Sequence, residues 1–275
     1  VKTTESPFAV VFDVDGTLAP DTTSQFLATR GVDVEAFWSR SLERMHEGWD
    51  PVTSYLHAFV LESAGPHGPF TRAEMAAVAP QMALFPGVAD LCERLSAHIT
   101  ERGMVAEFYL ISGGLAPIVR NLPIAGQCRG IWASDFDYDD AGRPAFPRAI
   151  VDFADKTKRL VEISKGLTQA DTQANPYLVN DPVGARGFRI PFTRIIFVGD
   201  GFTDVPCFSL LSSHGGGAIA VFDPSHLGAA DRARQYQADG RVGWVAAADY
   251  TAGGEAFTAL RDAIDALVGA NPPPR

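Results

Sequence analysis

Four short segments limit the fold of this chain more than anything else in it: "FAVVFD" at 8–13, "AEFYLIS" at 106–112, "TRIIFVGD" at 193–200 and "GGAIAVFD" at 216–223. Each is apolar with little alternation and ends on a polar residue. A strand with one wet face alternates, so near-continuous apolarity calls for a parallel sheet covered on both sides. The covers are at hand, because helical patterns fall at 87–99, 115–121, 156–166, 204–212 and 255–268. The chain therefore reads as α/β.

The segment from 19 to about 85 follows a different period. Phe37, Trp38, Leu42 and Met45, then Tyr55, Leu56, Phe59 and Val60, recur at three and four, which is helical spacing. Asp50 before Pro51 marks a helix start, and Thr71 with Glu74 fits a capping box. An all-helical unit is thus expected after the first strand. "GIWASDFDYDDAGRPAF" reads as a projecting hairpin near 131–146, and 168–192 as a long turn-rich loop. The final "NPPPR" is expected to fray.

A length of 275 residues suits a core domain carrying a smaller one. With 23 basic against 33 acidic residues, the net charge is −10 and no basic stripe stands out. General attraction to a phosphate backbone is not built in, so nucleic acid is not an expected partner. Cys92, Cys128 and Cys207 are far apart and form no CxxC, which favours a reducing compartment. No window reaches the roughly 18 uninterrupted apolar residues of a membrane span. The N-terminal stretch has no secretory pattern. The expectation is a soluble cytoplasmic protein without a membrane partner.

The strand ends carry the chemistry. Asp13 and Asp15 are spaced by two, which would set them side by side on a pleat. Ser112, Gly113 and Gly114 end the second run, and Asp200 and Asp204 lie in "VGDGFTD". If the runs are neighbouring parallel strands, these groups meet in one crevice. Like charges about 4 Å apart repel by roughly 4 kcal/mol at an effective dielectric near 20, so several carboxylates there need a cation. An all-oxygen donor set favours a hard ion, and magnesium leaves room for water and a phosphate.

"DVDGT" at 13–17, "LISGG" at 110–114, a lysine heading a helix at 156 and "GDGFTD" at 199–204 resemble, in order, the four motifs of the haloacid dehalogenase superfamily. The resemblance implies a Rossmann-like core over 1–18 and 86–275 with an inserted helical cap domain at 19–85. It implies that Asp13 attacks phosphorus to form an aspartyl-phosphate and that Asp15 serves as acid, then base. Asp13, Asp15 (through its backbone carbonyl) and Asp200 would hold Mg2+, with Asp204 behind them holding a metal-bound water or the lysine. Thr17, Ser112, Gly113 and Lys156 would meet the phosphate. The "SGG" is similar to the phosphoserine phosphatase branch. "DKTK" offers both Lys156 and Lys158; Lys156 is preferred because it precedes Leu160 by four, and Asp155 is positioned to cap that helix.

The reading that follows is a magnesium-dependent phosphatase acting on a small phosphorylated molecule. A phosphomutase or phosphotransferase, or a phosphate-binding pseudoenzyme, are the alternatives. Substrate choice is expected from the helical unit, where Arg30, Arg40, Arg44, His46, Trp49, Tyr55 and His57 are available.

Overall fold

The computed structural model describes residues 6–184 and 187–270. The chain opens with β1 (Pro7–Phe12) and passes into four helices, α1 (Thr22–Thr29), α2 (Val34–His46), α3 (Pro51–Ser63) and α4 (Arg72–Val78). It returns through α5 (Leu91–Thr100) to β2 (Val105–Leu115), the short α6 (Ala116–Val119), β3 (Gly130–Tyr138) and β4 (Pro144–Ala149). Then come α7 (Phe153–Lys165), α8 (Gln169–Ala174), β5 (Ile195–Gly199), α9 (Val205–Ser213) and β6 (Gly217–Phe222). Last are α10 (Ala229–Ala238), β7 (Trp244–Ala247) and α11 (Glu255–Ala270).

Among the described residues the strands form one sheet in the order β4-β3-β2-β1-β5-β6-β7. All neighbours are parallel except the β3–β4 pair. Phe8, Val10 and Phe12 point into one apolar cluster with α5 and α11, while Ala9 and Val11 point into a second with α7, α9 and α10. Both faces of β1 are therefore dry, which is why its sequence does not alternate. The order reverses direction at β1, so the crevice beyond its C-terminal end lies at a topological switch point.

The four inserted helices start where the sequence signals lie. Asp50 Oδ1 accepts from Thr53 N at 2.8 Å with Pro51 at the first helical position, and Thr71 with Glu74 forms the capping box. Phe26, Phe59 and Phe70 pack with Phe136 of β3 in the same cluster as the sheet. The Phe59 and Phe136 rings stack at 5.7 Å.

Several expectations change. The 131–146 hairpin forms as the antiparallel pair of β3 and β4, but the first half of β3, Gly130–Ser134, also pairs with β2 and joins the hairpin to the sheet, because Trp132 and Ala133 are apolar enough to be covered. The 168–192 segment holds α8, which Thr168 and Asp171 cap as a box, and three-residue turns of 3-10 helix at Leu178–Asn180 and Phe192–Arg194. β7 and α10 have no clear sequence signal, because "WVAA" is too short and α10 too polar to show a period. The helix carrying Lys156 is capped by Asp152, whose Oδ1 accepts from Asp155 N at 2.7 Å, and not by Asp155. "NPPPR" at 271–275 lies outside the described residues. No helix among the described residues is long and apolar enough to cross a membrane.

Candidate active site

β1 ends at Phe12, and Asp13 is the next residue. Its N–H donates to Val198 O at 2.9 Å, which ties it to the end of β5. Asp13 and Asp15 consequently sit on the turn beyond the strand, not side by side on a pleat. Gly16 has φ +74°, and a methyl group there would collide with the Asp200 carboxylate. The turn delivers the chain to α1, where Thr22 N donates to Asp15 Oδ1 at 2.6 Å. Gly114 approaches Asp15 from β2 so closely that a side chain there would strike its carboxylate.

From the other side α7 brings Lys156, which is 1% exposed. Its Nζ lies 3.0 Å from Asp13 Oδ2 and 2.7 Å from Asp204 Oδ1, and donates to Thr203 Oγ1 at 3.2 Å. Lys158 points outward and pairs with Asp155 at 2.6 Å. The second Asp204 oxygen accepts from the Asp200 and Gly201 N–H groups, each at 3.1 Å. Asp204 thus fixes both the lysine and the turn that carries Asp200. One carboxylate oxygen from each of Asp13, Asp200 and Asp204 lies within 4.8 Å of the others.

Burial governs the charge states. It pushes Asp13 up to about 7, with Lys156 opposing and Asp204 adding to the rise. Asp15 is also raised to about 7, by burial first and then by the Asp21 charge. Burial, then Asp204 and Asp13, raise Asp200. For Lys156 burial works downward, but Asp13 and Asp204 outweigh it and keep the ammonium charged. One lysine does not offset this much buried acid.

The donor set suits a hard divalent ion. Asp13 Oδ1 is buried without a hydrogen-bond partner, which is the state of an oxygen awaiting a ligand. Asp200 stands beside it, and the oxygens are of the kind magnesium prefers. Asp204 is the cluster member whose two oxygens are both engaged. The residues present fit the ion.

The remaining expected residues divide. Gly113 and Gly114 line a cavity of about 450 Å³ that also meets Asp13, Asp15, Lys156 and Asp200. Ser112 and Thr17 are fully buried and are not in its wall. Ser112 Oγ accepts from Gly114 N at 2.9 Å, because β2 runs on through a bulge to Leu115 instead of turning at 113. The Thr17 hydroxyl is buried without a partner, while its carbonyl accepts from Tyr250 OH at 2.8 Å.

Helices α2 and α3 form the opposite wall. Tyr55, one of the residues available for substrate choice, donates its hydroxyl to the Gly113 carbonyl and lines the cavity. Asp21 lines it too; in sequence it reads only as the cap of α1, whose Ser24 N it accepts at 2.5 Å. Of the residues expected to set substrate choice, Arg30, Arg40, Arg44, His46, Trp49 and His57 are not in the wall. Arg30 pairs with Glu74, Arg40 with Glu62, and Trp49 stacks on His57.

No protein-family model matches the chain. An uncharacterized protein of Borreliella burgdorferi is 24% identical over 289 residues, covering 94% of this chain and 97% of that one. Among solved structures, a haloacid dehalogenase family hydrolase of Salmonella enterica serovar Typhi superposes with a TM-score of 0.56 at 20% identity. The match covers 80% of this chain and 64% of that one. A phosphoserine phosphatase in its apo form gives 0.56 at 14% identity, over 87% and 92% of the two chains. A probable phosphoserine phosphatase of Vibrio cholerae gives 0.57 at 13% identity, over 96% and 67%. The chain thus shares its fold with a haloacid dehalogenase family hydrolase and with phosphoserine phosphatases.

Proposed function

We propose that this protein is a magnesium-dependent phosphatase that hydrolyses a small soluble phosphate monoester through an aspartyl-phosphate. The observation that carries the reading is the buried Asp13, held by Lys156 on one oxygen and unpartnered on the other. In this reading Asp13 attacks phosphorus and the ester P–O bond breaks as the aspartyl bond forms. Asp15, raised toward neutrality and beside Asp13, gives its proton to the departing alkoxide. The same carboxylate then takes a proton from water, whose oxygen attacks phosphorus, releasing inorganic phosphate and restoring Asp13.

Asp13 and Asp200 carboxylates with the Asp15 carbonyl would hold Mg2+, which supplies positive charge for the phosphate oxygens. Asp204 positions Lys156, whose ammonium screens the approach of an anion to Asp13. Gly113 lies in the wall where the phosphate would sit, and Ser112 and Thr17 would support that side from beneath. We assign residues 1–18 and 86–275 to the catalytic core and 19–85 to a cap that limits access to small solutes. The negative charge, the three unpaired cysteines and the lack of a spanning helix among the described residues support a cytoplasmic enzyme without nucleic-acid or membrane partners.

The test is phosphate release from a panel of phosphorylated metabolites, with magnesium and with chelator. Asp13→Asn is expected to fold and to lose turnover by several orders of magnitude. Wild-type-like rates in that variant would reject the mechanism. An isomeric product without free phosphate would assign the aspartyl-phosphate to transfer instead.

A further inference from the structure

The phosphate end of the cavity is charged, but its other end is not. Trp38, Leu42, Met45, Pro51, Val52 and Tyr55 make that wall. The polar atoms among these residues are turned away or used. Trp38 Nε1 donates to Ser24 Oγ at 2.8 Å, and the Tyr55 hydroxyl is taken by the Gly113 carbonyl. The adjoining Ser41 Oγ lies 2.9 Å from Ser54 Oγ in a buried pair. What faces the cavity is ring and aliphatic surface, with the Thr23 side chain as a small polar exception.

Charge speaks against an anionic leaving group. Among the described residues lining the cavity, Lys156 is the only cation, and Asp13 and Asp204 hold it. Asp13, Asp15, Asp21 and Asp200 also line it. A leaving group with its own carboxylate or second phosphate would be buried without a counter-charge. The Trp38 and Tyr55 rings touch each other at 5.5 Å, so they do not stand apart as a cage for an ammonium group. At the mouth, Leu42 and Met45 are 50% and 37% exposed, which carries the apolar surface outward from the cavity.

We propose that the substrate is the phosphate monoester of an uncharged, apolar alcohol, whose hydrocarbon part lies on the Trp38–Met45–Tyr55 wall. The inference rests on the phosphatase reading and narrows it. It departs from what the likeness to phosphoserine phosphatases would suggest, since phosphoserine carries both a carboxylate and an ammonium group into the site.

The test is a homologous series: kcat/KM for ethyl, butyl and hexyl phosphate with magnesium, beside phosphoserine, glycerol phosphate and phosphocholine. These are all alkyl esters, so the comparison does not rest on an activated leaving group. Efficiency is expected to climb with chain length by up to about fourfold per buried methylene. Phosphoserine and glycerol phosphate are expected to fall roughly tenfold or more below butyl phosphate, because their polar groups find no partners. Met45→Arg should flatten the series and raise phosphoserine relative to butyl phosphate. Phosphate release with a flat series, or with any charged or polyol ester preferred, would overturn the substrate class and leave the phosphatase reading standing. No phosphate from any ester would overturn that reading and the substrate class with it.

Discussion

Lys156 and Lys158 stand two apart in "DKTK", and about 200° of helix separates them at 3.6 residues per turn. Only one can share a face with Leu160 and Ile163, which are buried four and seven residues after Lys156. That face packs on the sheet beneath the end of β1, so the lysine on the apolar stripe is the one that meets Asp13. Its charge should matter for stability as well as chemistry. Lys156→Met would leave Asp13 and Asp204 buried with no ammonium between them, at a cost of about 3–5 kcal/mol in metal-free protein. Urea unfolding checks this, and the Lys156→Met/Asp13→Asn double variant should recover part of the loss; equal stability of Lys156→Met and wild type would remove the argument. The motif residues Asp13, Asp15, Asp200 and Asp204 were legible because chemistry fixes their types and order. Asp21 was not, since a helix cap has an ordinary structural explanation that hides a second use, and Tyr55 stood among seven candidates of the helical unit with nothing in the sequence to single it out.

At the scale of elements, the parallel strands were readable where both faces are dry, and the hairpin was half-read because its pairing to β2 has no local signature. Glu107 shows what such a reading misses. It interrupts the apolar run of β2, yet it is buried, and its partner Arg189 lies far along the chain in the segment that leads to β5. Burial works to raise its carboxyl, but the hydrogen bonds from Arg189 and Tyr109 and the nearby Arg129 charge prevail and hold it below the ordinary value. A lowered native value means that the unfolded chain binds the proton more readily. The pair's contribution is therefore full above the usual carboxylate range and is lost as pH falls through the native value. Glu107→Gln should cost about 1.5–3 kcal/mol at neutral pH, and the gap to wild type should close in acid. Urea melts at a series of pH values decide it; a gap that does not change with pH would mean the pair is not what holds this segment to β2.

For the whole molecule, the inserted helices share one apolar cluster with the sheet. Their attachment at Phe136 and at the Gly113 carbonyl sets α2 and α3 across the crevice as one of its walls. Sequence periodicity showed that these helices had apolar stripes but not what the stripes would face, since any dry surface satisfies them equally. The crevice gathers carboxylates from the ends of β1 and β5 where burial and mutual repulsion disfavour their charge and Lys156 alone does not neutralise them, a cost that a bound cation would relieve. Asp200 therefore sits at a point where stability and function oppose each other. Asp200→Asn should raise the melting temperature of metal-free protein by removing a carboxyl whose ionisation burial, and then the Asp204 and Asp13 charges, disfavour. It should also abolish the rise that magnesium gives the wild type. An ion at 100 times its dissociation constant adds about 2.7 kcal/mol, which for a chain of this size is a shift of several degrees. Thermal unfolding of both proteins, with magnesium and with chelator, reads the two effects separately. If Asp200→Asn melts lower than wild type in chelator, the crevice is not strained by its own charge; if it keeps the full magnesium increment, Asp200 is not a ligand.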